Sequence, residues 1–375
     1  HTMRFFEFNQ SLQEGGASGG RRYNSEIAVL CALADVDISS FDPSNPEQTI
    51  PESVLANPKA AYNDIKKLLV PNYDQALFQG WYNKTNGYKD IINSKLAEKE
   101  TQLGQFSWAG GKNKADNAAD VGFEGSKVAG MSIKAEGGIT LANLTPKALG
   151  LTPEKGNDIF YQYAQQEFKD MKTNIFNDVL EQAKAQPGQV IAPLTDKYTI
   201  VYDDTTDKYT CTGKKTLTAD AQTILNSVAK NSPWQRVFGD WFQANWKQKK
   251  SYATPLFTKI AREFEVTIEQ HLQKSASLVN MLRFADKPYF YLSTSGLYFV
   301  PTINEVQDLQ LQGLKYGEPD GTSQLFVAQL GRPDSQGFAE LDIYVRYANG
   351  MFESNPTVRV QTLRNPQYIS WEKLA

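Results

Sequence analysis

The sequence predicts an α+β protein: an α/β core, helical additions and a β-rich C-terminal module. Three observations carry this. Apolar residues recur at helical spacing over most of residues 24–101 and again over 153–282. A short pair of strand-like runs lies between those regions, around residues 120–134. From Lys287 onward the periodicity changes to alternation, in runs parted by turn residues. The chain has 375 residues, 41% of them hydrophobic and 12% aromatic, which is ample for several folded cores. The expected division is an N-terminal arm at 1–22, a first domain at 23–188, a hairpin-and-helix domain at 189–285 and an antiparallel module at 286–375.

The net charge of −3 excludes a global basic field, so any nucleic-acid surface must be local. Two cysteines, Cys31 and Cys211, give neither a disulfide framework nor zinc spacing and fit a reducing compartment. Of the two histidines, His1 precedes Met3 in what reads as a cloning remnant, and His271 lies in a helical run with no Cys or His partner nearby. A histidine metal site and a Ser-His-Asp triad are therefore poorly supported. No run reaches eighteen apolar residues and no signal peptide is evident, so the chain reads as soluble, intracellular and without a membrane partner.

Taken in order, RFFEFNQSL is a short amphipathic piece, and EGGASGG at 14–20 reads as a flexible tether. Asn24 is a good N-cap for a first helix with Ile27, Leu30, Cys31 and Ala34 as its apolar stripe. A proline-rich loop at 40–58 leads to helices at about 58–69 and 73–101. Beyond the central hairpin, two Thr-Pro pairs mark helix starts, the second opening a long helix over about 153–186. Residues 197–215 read as a β-hairpin around Asp204. The helical stretch 219–282 breaks near Pro233 and Pro255. Trp234, Phe238 and Trp241 fall at core spacing within it, while Lys247, Lys249 and Lys250 form either a DNA-backbone contact or a solvated helix end.

The central stretch carries the chemistry. DVGFEG reads as a strand opening on Asp120, followed by a turn at Gly125-Ser126-Lys127 and a strand VAGMSIKA. Alternation puts Ser132 and Lys134 on one face and Met131, Ile133 and Ala135 on the other, so Asp120 can lie beside Lys134. A carboxylate beside a lysine, next to the basic run Gly110-Gly111-Lys112-Asn113-Lys114, can hold a divalent cation against a phosphate.

Asp120, eleven intervening residues and Ser132-Ile133-Lys134 resemble the core of the PD-(D/E)xK nuclease superfamily, and the surrounding run resembles endonucleases of tailed phages. The resemblance implies a restriction-endonuclease-like α/β core and hydrolysis of DNA phosphodiesters, in the cytoplasm of an infected bacterial host. It implies Mg²⁺, or Mn²⁺ in its place, held by Asp120 and the Ile133 carbonyl, with Lys134 assisting the attacking water. Ser132 stands where the family has an acid. Three carboxylates could replace it: Glu26, since such nucleases often carry a glutamate on the helix before the catalytic strands, Glu136 and Asp116. Lys112 and Lys114 would meet phosphates. Cutting both strands commonly takes two active sites, which points to a homodimer. The alternative is a catalytically silent nuclease fold that binds DNA or serves phage assembly.

Overall fold

A computed structural model describes residues 18–108, 119–134, 141–153, 158–191, 198–213, 215–228, 233–318, 323–347 and 356–375. Helix α1 (Ser18–Leu33) starts inside the stretch expected as a tether and runs through Asn24, so Asn24 is not its cap. The Asn24 side chain instead donates to the Asn72 carbonyl (2.8 Å) and accepts from the Asp74 N–H (3.0 Å). Every residue from Ile27 to Leu33 is buried, a wider apolar surface than the expected stripe. Helix α2 (Pro58–Leu68) is capped by Asn57, and α3 (Gln75–Glu98) by Asp74, each accepting a hydrogen bond from the first turn.

Strands β1 (Phe106–Trp108), β2 (Val121–Phe123), β3 (Gly130–Lys134) and β4 (Ala142–Leu144) follow. Helix α4 (Ile159–Lys184) begins later than the Thr-Pro pair suggested and is kinked at Ala164. The hairpin at 198–213 appears as β5 (Thr199–Asp203) and β6 (Lys208–Thr212), with β7 (Leu217–Ala219) beside it. The helical stretch resolves into α5 (Ala221–Ser227), α6 (Pro233–Lys249), α7 (Thr254–Leu272) and α8 (Ser275–Met281). The remaining strands are β8 (Tyr289–Ser293), β9 (Gly296–Val300), β10 (Gln310–Tyr316), β11 (Ser323–Gly331), β12 (Ala339–Tyr347), β13 (Pro356–Arg364) and β14 (Glu372–Lys373).

The fold is mixed α+β, with a mixed sheet at its centre in the order β1-β2-β3-β8-β9-β14. Among the strands described, only β3 and β8 pair in parallel, Ser132 facing Tyr291 and Lys134 facing Ser293. A parallel pair needs a crossover, and residues 135–288 supply it. The expected antiparallel module at 286–375 is thereby corrected: β8, β9 and β14 complete the first sheet, while β10 to β13 with β4 form a second, antiparallel one. Alternation in those runs announces strands but carries no information about which strand each will pair with.

Two apolar layers cover the first sheet. Met131, Ile133, Phe290, Leu292, Leu297 and Phe299 face one of them, shared with α1, α2 and α3. Tyr289, Tyr291, Tyr298 and Val300 face the other, shared with α4, α6, α7 and the second sheet. Each large apolar side chain so enclosed contributes roughly 1.5–3 kcal/mol over its exposed state. Lys84 on α3 fixes that helix to the β8–β9 turn through the Ser293 and Thr294 carbonyls (2.7 and 3.0 Å). Among the described residues, no helix is long and apolar enough to cross a membrane.

Candidate active site

The site begins with an aspartate that extends a strand ladder. The Asp120 N–H donates to the Met131 carbonyl (2.9 Å), just ahead of β2. Its carboxylate then continues along the β3 edge: Oδ2 accepts from the Ile133 N–H (2.7 Å) and from Ser132 Oγ (3.3 Å). Lys134 Nζ lies 3.7 Å from the same oxygen. Within a strand a residue's N–H and C=O point to the same edge, so the Ile133 carbonyl faces the side on which Asp120 lies. Gly130 permits this approach. Its φ is +146°, and a Cβ there would collide with the Val121 carbonyl oxygen and the Ala119 side chain.

The second carboxylate arrives on α1. Glu26 is fully buried, and its two oxygens have separate partners. Oε2 accepts from Trp108 Nε1 (2.7 Å), while Oε1 accepts from Arg22 Nε (2.5 Å), one helical turn earlier. The other end of that guanidinium reaches Asp120: Arg22 Nη2 lies 3.3 Å from Oδ1. Tyr23 packs edge-on against Trp108, with ring centroids 6.2 Å apart. Burial, and then repulsion from Asp120, push the Glu26 carboxyl up to about 7, against the opposing pull of Arg22 and Trp108. The site therefore gathers two carboxylates with one guanidinium and one ammonium, and the buried carboxylate carries its charge against the cost of desolvation.

Of the residues expected from the sequence, Asp120, Ser132, Ile133, Lys134 and Glu26 are brought together. Glu136, Asp116, Lys112 and Lys114 lie outside the described residues. Lys247, Lys249 and Lys250 stand at the end of α6, which belongs to the opposite apolar layer. Lys249 is engaged there, 2.7 Å from Asp178. Arg22 and Trp108 were missed as site residues. Arg22 was legible as an i,i+4 partner of Glu26 once the helix is taken back to Ser18; Trp108 gave no local signal.

No family model matches the chain, and neither a curated protein nor a solved structure does.

The oxygen-rich donor set fits a hard cation such as Mg²⁺ or Mn²⁺ rather than zinc. Its two carboxylates are bridged by a guanidinium, a positive group already standing between the oxygens a metal would use. Among the described residues no group of three or more His, Cys, Asp or Glu is placed to hold a metal. Two carboxylates and a carbonyl would leave the remaining positions to water and phosphate, the usual way Mg²⁺ is held.

Proposed function

We propose that this chain is a Mg²⁺-dependent endodeoxyribonuclease with a restriction-endonuclease-like core. The observation that carries the reading is the convergence of Asp120, Lys134 and the buried Glu26, from a hairpin and a helix far apart in sequence. A helix bearing an acid, a hairpin bearing Asp and x-x-Lys, and a next strand parallel to the lysine strand support the same reading.

Mg²⁺, or Mn²⁺ in its place, would be held by Asp120, Glu26 and the Ile133 carbonyl and would supply charge neutralisation at the scissile phosphate. The chain's own groups do the rest. Asp120 is fixed by the Ile133 N–H and the Ser132 hydroxyl, so its carboxylate is aimed before substrate arrives. Lys134, partly open to solvent beside Asp120, orients or deprotonates the attacking water. Trp108 holds Glu26 through Oε2, so Oε1, the oxygen that Arg22 covers, is the one a cation would take. Ser132 supports Asp120 and is no substitute for the acid.

Supercoiled plasmid and mixed genomic DNA, incubated with Mg²⁺ or with EDTA, test this. Cleavage should require the metal, and Asp120→Ala and Lys134→Ala should each reduce it at least about a hundredfold with the fold retained. Cleavage by either variant at the wild-type rate would remove the proposed site. A second reading, a nuclease fold that binds DNA without cutting it, draws on Ser132 in the acid's place. Metal-independent DNA binding without cleavage on any substrate would favour it.

A further inference from the structure

Arg22 sits where a positive charge is most needed and is the least confined member of the cluster. Its side chain is 46% exposed, against 0% for Glu26 and 13% for Asp120. Its grip is also uneven: 2.5 Å to Glu26 but 3.3 Å to Asp120. The backbone beneath it is held, because Ser25 Oγ donates to the Arg22 carbonyl (2.8 Å). A swing of the side chain alone would thus clear the carboxylates without disturbing α1.

We propose that Arg22 is a resident counter-charge of the site, spanning Glu26 and Asp120 until it gives way to a divalent cation. This rests on the nuclease reading above. A guanidinium brings a single positive charge to the two carboxylates, at hydrogen-bond distances of 2.5 and 3.3 Å. Mg²⁺ brings two charges to about 2.0–2.1 Å of these carboxylates, and a guanidinium held against the same groups is repelled by it. Metal binding in the wild type is therefore an exchange, which includes breaking the Arg22–Glu26 pair. The displaced guanidinium, still on α1 beside the site, becomes available to a phosphate. Planar, two-pronged and permanently charged, it suits that partner better than a lysine would. Cation and nucleic acid should accordingly help each other to bind, each relieving a cost of the other.

Calorimetric titration with MnCl₂ at pH 8.5 and low salt, on the full chain, decides the matter. Arg22→Ala should bind Mn²⁺ about tenfold more tightly than wild type, the signature of a removed competitor. Arg22→Gln, which retains length and polarity without charge, should do the same and guards against a folding defect in the alanine variant. Asp120→Asn should bind at least about tenfold more weakly. Equal or weaker Mn²⁺ binding by both Arg22 variants, with Asp120→Asn still impaired, would overturn the exchange and leave the cation site standing. Mn²⁺ binding untouched by Asp120→Asn would overturn the cation site and the exchange with it. An added short DNA duplex should tighten Mn²⁺ binding in the wild type and lose that effect in Arg22→Ala; an equal effect in both would count against the exchange.

Discussion

Among the described residues, two places combine one arginine with two carboxylates, and they are built to opposite ends. On the second sheet, Glu340 and Asp342 lie two apart on β12, on one face, with Arg364 from β13 over both. Arg364 grips Asp342 with two nitrogens at 2.8 Å each and reaches Glu340 at 3.1 Å. Burial works against the Glu340 charge, but hydrogen bonds from Gln329 and Arg364 prevail and hold its carboxyl below the usual range. At the hairpin, Glu26 and Asp120 come from different elements, Arg22 engages one closely and the other at a stretch, and the buried carboxyl is pushed up. Composition is the same in both; the distribution of the guanidinium's hydrogen bonds differs. A fully gripped carboxylate is a fastening, whereas one held at arm's length remains open to an incoming cation.

The largest effect that could break this contrast is on cleavage. Asp342→Asn should leave plasmid cutting within about twofold of wild type, while Asp120→Ala loses at least about a hundredfold. Comparable losses at both positions would erase the distinction. Next comes stability. Arg364→Met removes the partner of a carboxylate that is only 8% exposed and should cost about 1–3 kcal/mol in urea unfolding. Arg22→Met should cost less than about 1 kcal/mol at pH 6, because the buried Glu26 carboxyl, already pushed up to about 7, takes up a proton in place of its lost partner. The smallest effect concerns a third arrangement, a lysine seated on an aromatic ring and a backbone carbonyl. Lys172 on α4 lies over the Phe168 ring at 4.5 Å and donates to the Val228 carbonyl (3.2 Å). Burial pulls its amine down to about 8, with Asp158 opposing. Below that pH both folded and unfolded chains carry the charge, and the folded one bears the burial cost. Between about 8 and the ordinary lysine value the unfolded chain binds more protons, so stability rises with pH there. Lys172→Met should raise the melting temperature at pH 7 by about 2 °C, a gain that fades toward pH 10. A gain that persists unchanged at pH 10 would mean the charge is not its source.

The hairpin and most helices could be read from the sequence because their signals are local. Asn57 and Asp74 cap the helices they precede, and the spacing of Asp120 and Lys134 already placed them side by side. Asn24 shows the limit: it has the chemistry of a cap but lies inside α1, tied to a neighbouring turn. The helix reaches back to Ser18 despite its glycines, so its start does not follow local propensity. Trp108 could not have been paired with Glu26 by any spacing rule, since the contact exists only once β1 and α1 are stacked. The same holds for Tyr291, whose place beside Ser132 follows from sheet order alone.

That sheet order also governs how the molecule can come into being. The strand carrying Lys134 must wait for residues 135–288 before its parallel neighbour exists, so the closure of the central sheet is a high-contact-order event. Until β8 arrives, Met131 and Ile133 lack Phe290 and Leu292 beside them, and the β3 edge offers unpaired backbone groups to any passing strand. Assembly should be slow, and its intermediates prone to self-association. A fragment ending at Gly188, where the sequence suggested a boundary, would hold Glu26, Asp120 and Lys134 yet lack the strand that aligns the lysine's own. Possession of the residues and possession of the site are separated by half the chain's folding.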